Sequence, residues 1–249
     1  MFATGITCRR ETLGQYRKSG AARPTRRGVL ALLGALLPAV TSTLADAGPN
    51  PAARADGVTL PELFPIPSNL YPSSLPGIIR QGAGSAEIEI YEFFDYNCAY
   101  CKKAAHEIEE IIAANPDVKL GLVNSPILSV GSVQAAKVQQ AVLRLYGPPV
   151  AAAFHQRMFT KRGQSDGVSA LAVARDMALD PAKVEESADS AVVGGVLRRQ
   201  AELTASLGVS MTPSFAIAGF GFAGWPGKKA LQTMISNVRR CERPICDRK

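Results

Sequence analysis

The run "AEIEIYEFF" (86–94) is dense in β-branched and aromatic side chains and reads as a strand. By the two-residue period Ile88, Ile90 and Glu92 share one face and Glu89, Tyr91 and Phe93 the other. Both rows are largely apolar, which predicts a central strand covered on both sides and leaves Glu92 as an acid in an apolar row. "DYN" (95–97) predicts a turn with Asn97 as helix N-cap. From Cys98 the spacing becomes helical: Ala104, Ala105, Ile108, Ile111 and Ile112 fall near one face, until "NPD" (115–117) stops the helix. "VKLGLVNSPI" (118–127) predicts a second strand. Helical spacing then dominates 128–207, in segments 132–147, 149–160, 167–179 and 189–208, with Gly, Pro and Asp between them. "VSMTPSFAIAGFGFAGW" (209–225) returns to strand character, with glycines that permit a tight hairpin, and an amphipathic helix over about 227–241 closes the pattern. Upstream, 48–84 is rich in proline and shows no amphipathic helix, so it predicts an extended lead-in.

Composition adds little until it is divided. The chain has 249 residues and a net charge of +7, which invites a nucleic-acid reading. Residues 1–47 carry seven Lys/Arg and two Asp/Glu, hence +5 of that total. The remainder is nearly balanced, so no nucleic-acid partner is expected. The basic stretch ending in "TRRGVL" (25–30), the apolar run "VLALLGALLPAV" (29–40) and the small-x-small "ADA" (45–47) form an export signal cleaved after residue 47. The apolar run is too short to span a bilayer, which takes roughly 20 residues. Arg26 and Arg27 resemble a twin-arginine signal, although Ala31 stands where that signal carries lysine; an ordinary secretory signal is the alternative. Either route predicts a periplasmic protein.

Compartment decides what the cysteines mean. Of the five, Cys8 leaves with the signal, and Cys98, Cys101, Cys241 and Cys246 remain. An even number in an oxidising space favours disulfide chemistry. A four-thiolate zinc site is an alternative, as is a pair of permanent staples. Cys98 opens a helix just after a strand, where unpaired amides and the helix dipole favour a thiolate and lower its pKa below the free value of about 8.5. Cys101, one turn on, is placed to close a disulfide with it. Cys98 is the expected exposed nucleophile and Cys101 the buried resolver. Asp95 caps the helix or solvates the turn. His106 reads as a surface residue and His155 as isolated in the helical segment. Cys241 and Cys246 follow the last helix, and Pro244 between them lets the chain fold back, predicting a structural disulfide.

The runs "EFFDYNCAYCKK" (92–103) and "GVSMTPSF" (208–215) resemble the thioredoxin-fold disulfide oxidoreductases of the DsbA type, within the secreted group that carries "FFDYxCxYCK". The resemblance covers about 85–241. It implies an α/β thioredoxin fold with a helical insertion between the second strand and the cis-Pro hairpin: a thioredoxin-like domain from 85–127 and 208–241, an insert over 128–207 and a tail at 242–249. It implies that Pro213 is cis and packs against the Cys98–Cys101 pair, and that Thr212 offers main-chain groups to an extended client, with Met211 and Tyr100 beside it. It also implies that Glu92 is the acid beneath the resolving cysteine, exchanging its proton. The strongest oxidants of the family carry Pro-His between the cysteines. Ala99 and Tyr100 here predict a less oxidising couple, fit for an isomerase or reductase as well as an oxidase. The expected partners are secreted proteins with cysteines and a membrane redox partner that recycles the disulfide. The expected protein is a monomer, with no cofactor or metal beyond the redox pair; the rival is a non-catalytic metal-binding or binding module on the same fold.

Overall fold

The computed structural model describes residues 54–55 and 57–246. The export segment, with Cys8, Arg26 and Arg27, and the last three residues lie outside the described residues.

In chain order, β1 (Arg54–Ala55) and β2 (Val58–Thr59) form a small ribbon. Next come β3 (Phe64–Pro65), two 3-10 turns and β4 (Ile79–Gln81). β5 (Ile88–Phe94), α1 (Ala99–Ala114) and β6 (Val118–Asn124) form a parallel strand–helix–strand unit. Four helices follow: α2 (Val130–Thr160), α3 (Gly167–Asp176), α4 (Pro181–Ala188) and α5 (Ala191–Ser206). The hairpin β7 (Ser214–Ile217) and β8 (Phe220–Ala223) and the helix α6 (Lys228–Cys241) complete the chain. The sheet runs β3-β8-β7-β5-β6-β4, so β5 is interior, as its two apolar rows require. This is the thioredoxin-like α/β fold with a helical insertion.

Each row of β5 faces its own core. Ile88, Ile90 and Phe94 join Leu120, Leu122, Phe215 and Phe222 beneath Ile108 and Ile111 of α1 and Leu231 and Met234 of α6. Tyr91 and Phe93 join Val123 and Ala216, closed over by Leu203 of α5 and Leu207 at its C-cap. Burying each large side chain contributes roughly 1.5–3 kcal/mol, so the sheet's register, which assigns every side chain to a face, is strongly specified.

One expectation needs correction. The lead-in 48–84 has short extended stretches interrupted by the 3-10 turns Ser68–Leu70 and Pro72–Ser74, and it is not separate from the thioredoxin-like unit at residue 85. β3 pairs antiparallel with β8 (Phe64↔Gly221) and β4 with β6 (Arg80↔Gly121), so the lead-in supplies both edge strands. The Phe64 ring lies so close over Gly221 that a side chain there would clash at 2.3 Å. The expected division between 132–147 and 149–160 holds: α2 is two helical runs, the first ended by Gly147 at a φ of 80° and the second started by Pro148 and Pro149. The helix α4 went unpredicted: eight residues are too few for a periodic signal, although Asp180, which accepts from the amides of Ala182 and Lys183, and Pro181 at its first position mark its start.

Candidate active site

The two cysteines sit where β5 hands over to α1. Cys98, not Asn97, is the N-cap: its backbone is extended, and its sulfur accepts from the Cys101 amide at 3.3 Å. The Cys98 thiol donates to the Thr212 carbonyl at 3.1 Å. The cysteine's pKa is lowered to about 6, first by the hydrogen bond from Cys101 and further by the amides of Tyr100 and Cys101, against the opposing effect of burial. Against the expectation of an exposed nucleophile, Cys98 is buried, at 8 % exposure, with the Thr212 carbonyl against its sulfur; Cys101 is at 0 %. Burial, then the neighbouring Cys98 and the Glu92 charge, push the Cys101 thiol far up. Both are free thiols. The pair is therefore asymmetric: one sulfur is poised to ionise near neutral pH and the other holds its proton.

Glu92 lies on the α1 side of β5, fully buried, with neither carboxylate oxygen hydrogen-bonded to the protein. Burial first, and the Cys98 charge second, raise its pKa to about 8. A carboxyl in this state is neutral at pH 7 and can give or take a proton as Cys101 changes state.

The Thr212–Pro213 bond is cis, and Pro213 is buried. Its turn is fixed by Ser214 Oγ donating to Met211 O at 2.8 Å and by Gly224 N donating to Pro213 O at 2.8 Å. Thr212 thus presents its carbonyl to the sulfur, while Met211 at 51 % and Tyr100 at 68 % exposure are open to solvent. Sequence reasoning missed Ile127, Leu128 and Val130, three further exposed apolar side chains after β6. The Leu128 amide donates to Asp95 Oδ2 at 2.9 Å, which sets this segment beside the cysteine turn. A run of exposed Ile, Leu and Val just past a strand end was the signal available.

Asp95 neither caps α1 nor solvates the turn. It is buried and accepts from the amides of Asn97 and Leu128. Asn97, freed from capping, reaches the helical insert. His106 is exposed and 3.8 Å from Glu110. His155 is not isolated: it is buried among Phe94, Tyr96 and Phe159, its Nδ1 3.3 Å from the Tyr96 hydroxyl, and burial lowers its pKa to about 3.

Cys241 and Cys246 are joined by a disulfide with Cα atoms 6.0 Å apart. The clip folds Pro244 inward, where its carbonyl accepts from Asn237 Nδ2 at 2.9 Å. The structure does not assemble the four thiolates of a zinc site, since this pair is bonded to itself. Among the described residues no group of three or more His, Cys, Asp or Glu is placed to hold a metal, and no helix is long and apolar enough to cross a membrane.

No match emerges among curated proteins. Among solved structures, a thioredoxin-like oxidoreductase from Silicibacter pomeroyi is 28% identical, covering 67% of this chain and 94% of its own at a TM-score of 0.62. The thiol-disulfide exchange protein alpha-DsbA2 from Wolbachia pipientis is 22% identical over 66% of this chain and 88% of its own, with a TM-score of 0.60. The catalytic domain of Proteus mirabilis ScsC is 24% identical over 66% and 90%, also at 0.60. The last two show likeness of fold alone. Residues 89–239, more than half of the sequence and inclusive of both cysteines and the cis-proline, match the DSBA-like thioredoxin domain, and the chain belongs to that family of DsbA-type thiol:disulfide oxidoreductases.

Proposed function

We propose that the protein exchanges disulfides with the cysteines of exported client proteins through the Cys98–Cys101 pair, in the periplasm. The observation that carries this reading is the asymmetry of the pair: Cys98 is held near a pKa of about 6 while Cys101 is buried beside a neutral carboxyl. Starting from the Cys98–Cys101 disulfide, a client thiolate attacks Cys98 Sγ. The Cys98–Cys101 bond breaks as the mixed disulfide forms, and Cys101 leaves with the electron pair and takes the Glu92 proton. A second client thiolate then attacks the client sulfur of the mixed disulfide, and Cys98 departs as the stabilised thiolate. The client is oxidised by two electrons and the pair is reduced by two. Run in reverse, the same steps reduce or reshuffle a client disulfide, with Cys98 attacking first.

Thr212 and the exposed Tyr100 and Met211 serve as the docking edge for an extended client segment. Tyr100 supports the Cys98 thiolate less than an imidazolium would, so the couple is less oxidising than the strongest members of the family. The protein works as a monomer, needs no cofactor beyond its own disulfide, and is recycled by a membrane redox partner. Equilibration with glutathione buffers, read by thiol alkylation, tests the reading. The expected potential lies between about −300 mV, below which structural disulfides fall, and about −120 mV, the strongly oxidising limit. A value below that lower bound, with no exchange on a disulfide-bearing peptide, overturns the function.

A further inference from the structure

Asn97 immediately precedes the nucleophile and spends its side chain elsewhere. Its Oδ1 accepts from the Ser165 amide at 2.7 Å, and its Nδ2 donates to the Ser165 carbonyl at 2.8 Å. The side-chain amide thus pairs with Ser165 as a second backbone would. The same Nδ2 donates to Ser132 Oγ at 2.9 Å and to Ser129 Oγ at 3.2 Å. Ser165 Oγ adds a bond to the Tyr96 carbonyl at 3.4 Å.

These partners are not loose surface groups. Ser132 and Ser165 are 1 % and 3 % exposed, so the bonds are shielded from competing water and count for more than surface ones. Ser132 lies in the first turn of α2, whose N-cap is Ser129, and Ser165 precedes Asp166, the N-cap of α3. The starts of both helices converge on one side chain. The neighbouring turn residues act likewise: Asp95 holds the segment after β6, and the Tyr96 hydroxyl meets His155 in the second half of α2.

We propose that Asn97 is a positioning residue for the thiol chemistry, through which the helical insert fixes the first turn of α1 around the Cys98 sulfur. The inference rests on the exchange function proposed above. Cys98 is held extended by the hydrogen bond its backbone N–H donates to Asp95 O at 3.1 Å on one side and by the anchored Asn97 next to it in the chain. That placement brings its sulfur to 3.3 Å from the Cys101 amide. A hydrogen bond weakens steeply as its donor swings out of line, so a first turn left free to rotate when Asn97 is released loses thiolate stabilisation without unmaking the helix. The titratable groups facing Cys98, namely Cys101 and Glu92, stay in place.

The test titrates the reduced full-length chain by thiolate absorbance, with Asn97→Ala and Ser132→Ala beside the parent. Asn97→Ala is expected to raise the Cys98 midpoint by about one pH unit, to slow its alkylation at pH 6 several-fold, and to leave helix content unchanged. Ser132→Ala, which removes one of the Asn97 acceptors far along the chain from either cysteine, is expected to shift the midpoint in the same direction by less. Midpoints of both variants within about 0.2 unit of the parent overturn the proposal and leave the cluster as ordinary packing. Should Asn97→Ala fail to fold, an unshifted Ser132→Ala overturns it alone. A parent that titrates normally but exchanges no disulfide overturns the proposed function instead, and the two failures are told apart because the titration needs no client.

Discussion

The Cys98 thiol donates a hydrogen bond to the Thr212 carbonyl across 114 positions of sequence. Only the protonated sulfur can do so. When Cys98 ionises the carbonyl is released, and on the proposed function it becomes free to accept an amide from an extended client. Activation of the nucleophile and opening of the docking edge are then one event.

Cys98→Ser is predicted to abolish exchange, and Cys101→Ser to accumulate mixed disulfides with clients, because the low-pKa sulfur attacks and the buried one resolves. Non-reducing gels of cells expressing each variant separate the outcomes. Client adducts on the Cys98→Ser form would reverse the assignment.

For Glu92→Gln, exchange at pH 7 should slow several-fold, since the amide cannot donate the proton Cys101 takes. The variant should also be more stable than the parent, increasingly so with pH. The folded carboxyl titrates near 8 against an ordinary 4.5, so between those values the folded parent binds the extra proton and loses stability as pH rises. The Gln form lacks that loss, and its advantage should grow by ~1.4 kcal/mol per unit across the window. Comparing the two proteins by urea unfolding cancels the contribution of His155, which both share. A constant difference from pH 5 to 8 would place the Glu92 titration outside the folding equilibrium.

How far the site was readable follows from separation along the chain. The strand–turn–helix at 86–114 is local, so period and composition reported it directly, including the odd acid at Glu92. Asn97 looked like an N-cap because local rules see only the helix beside it. Its actual partners, Ser132 and Ser165, lie 35 and 68 positions away, beyond any local pattern. His155 was dismissed for lack of a neighbour for the same reason; Tyr96 is 59 positions distant. The edge strands β3 and β4 are two and three residues long, too short to alternate visibly.

Removal of the C-terminal clip by Cys241→Ala with Cys246→Ala should cost at most about 2–3 kcal/mol, the loop-entropy value for a closure of a few residues, and should leave exchange unaffected. Thermal unfolding and a peptide exchange assay check both parts. In partial reduction followed by mass mapping, the Cys98–Cys101 bond of the oxidised protein should open first. If the Cys241–Cys246 bond opens earlier, the clip belongs to the electron path.

Replacing Arg26 and Arg27 by lysine preserves charge but not the pair a twin-arginine receptor reads. If the twin-arginine route carries the protein, export should stop, with precursor retained in the cytoplasm on fractionation. Undiminished export would assign the segment to the ordinary secretory route.

The pairing of β3 with β8 joins Phe64 to Gly221, so the earliest strand of the main sheet waits for one of its last. A ribosome or a membrane pore delivers these strands in order, and until the hairpin emerges the Phe64 segment has no template and the outer edge of the sheet does not exist. Such long closures slow folding and leave unpaired strand edges open to other chains. Completion of this sheet therefore waits for the hairpin, and a chain stalled or cut before it would present an unpaired edge to chaperones and proteases.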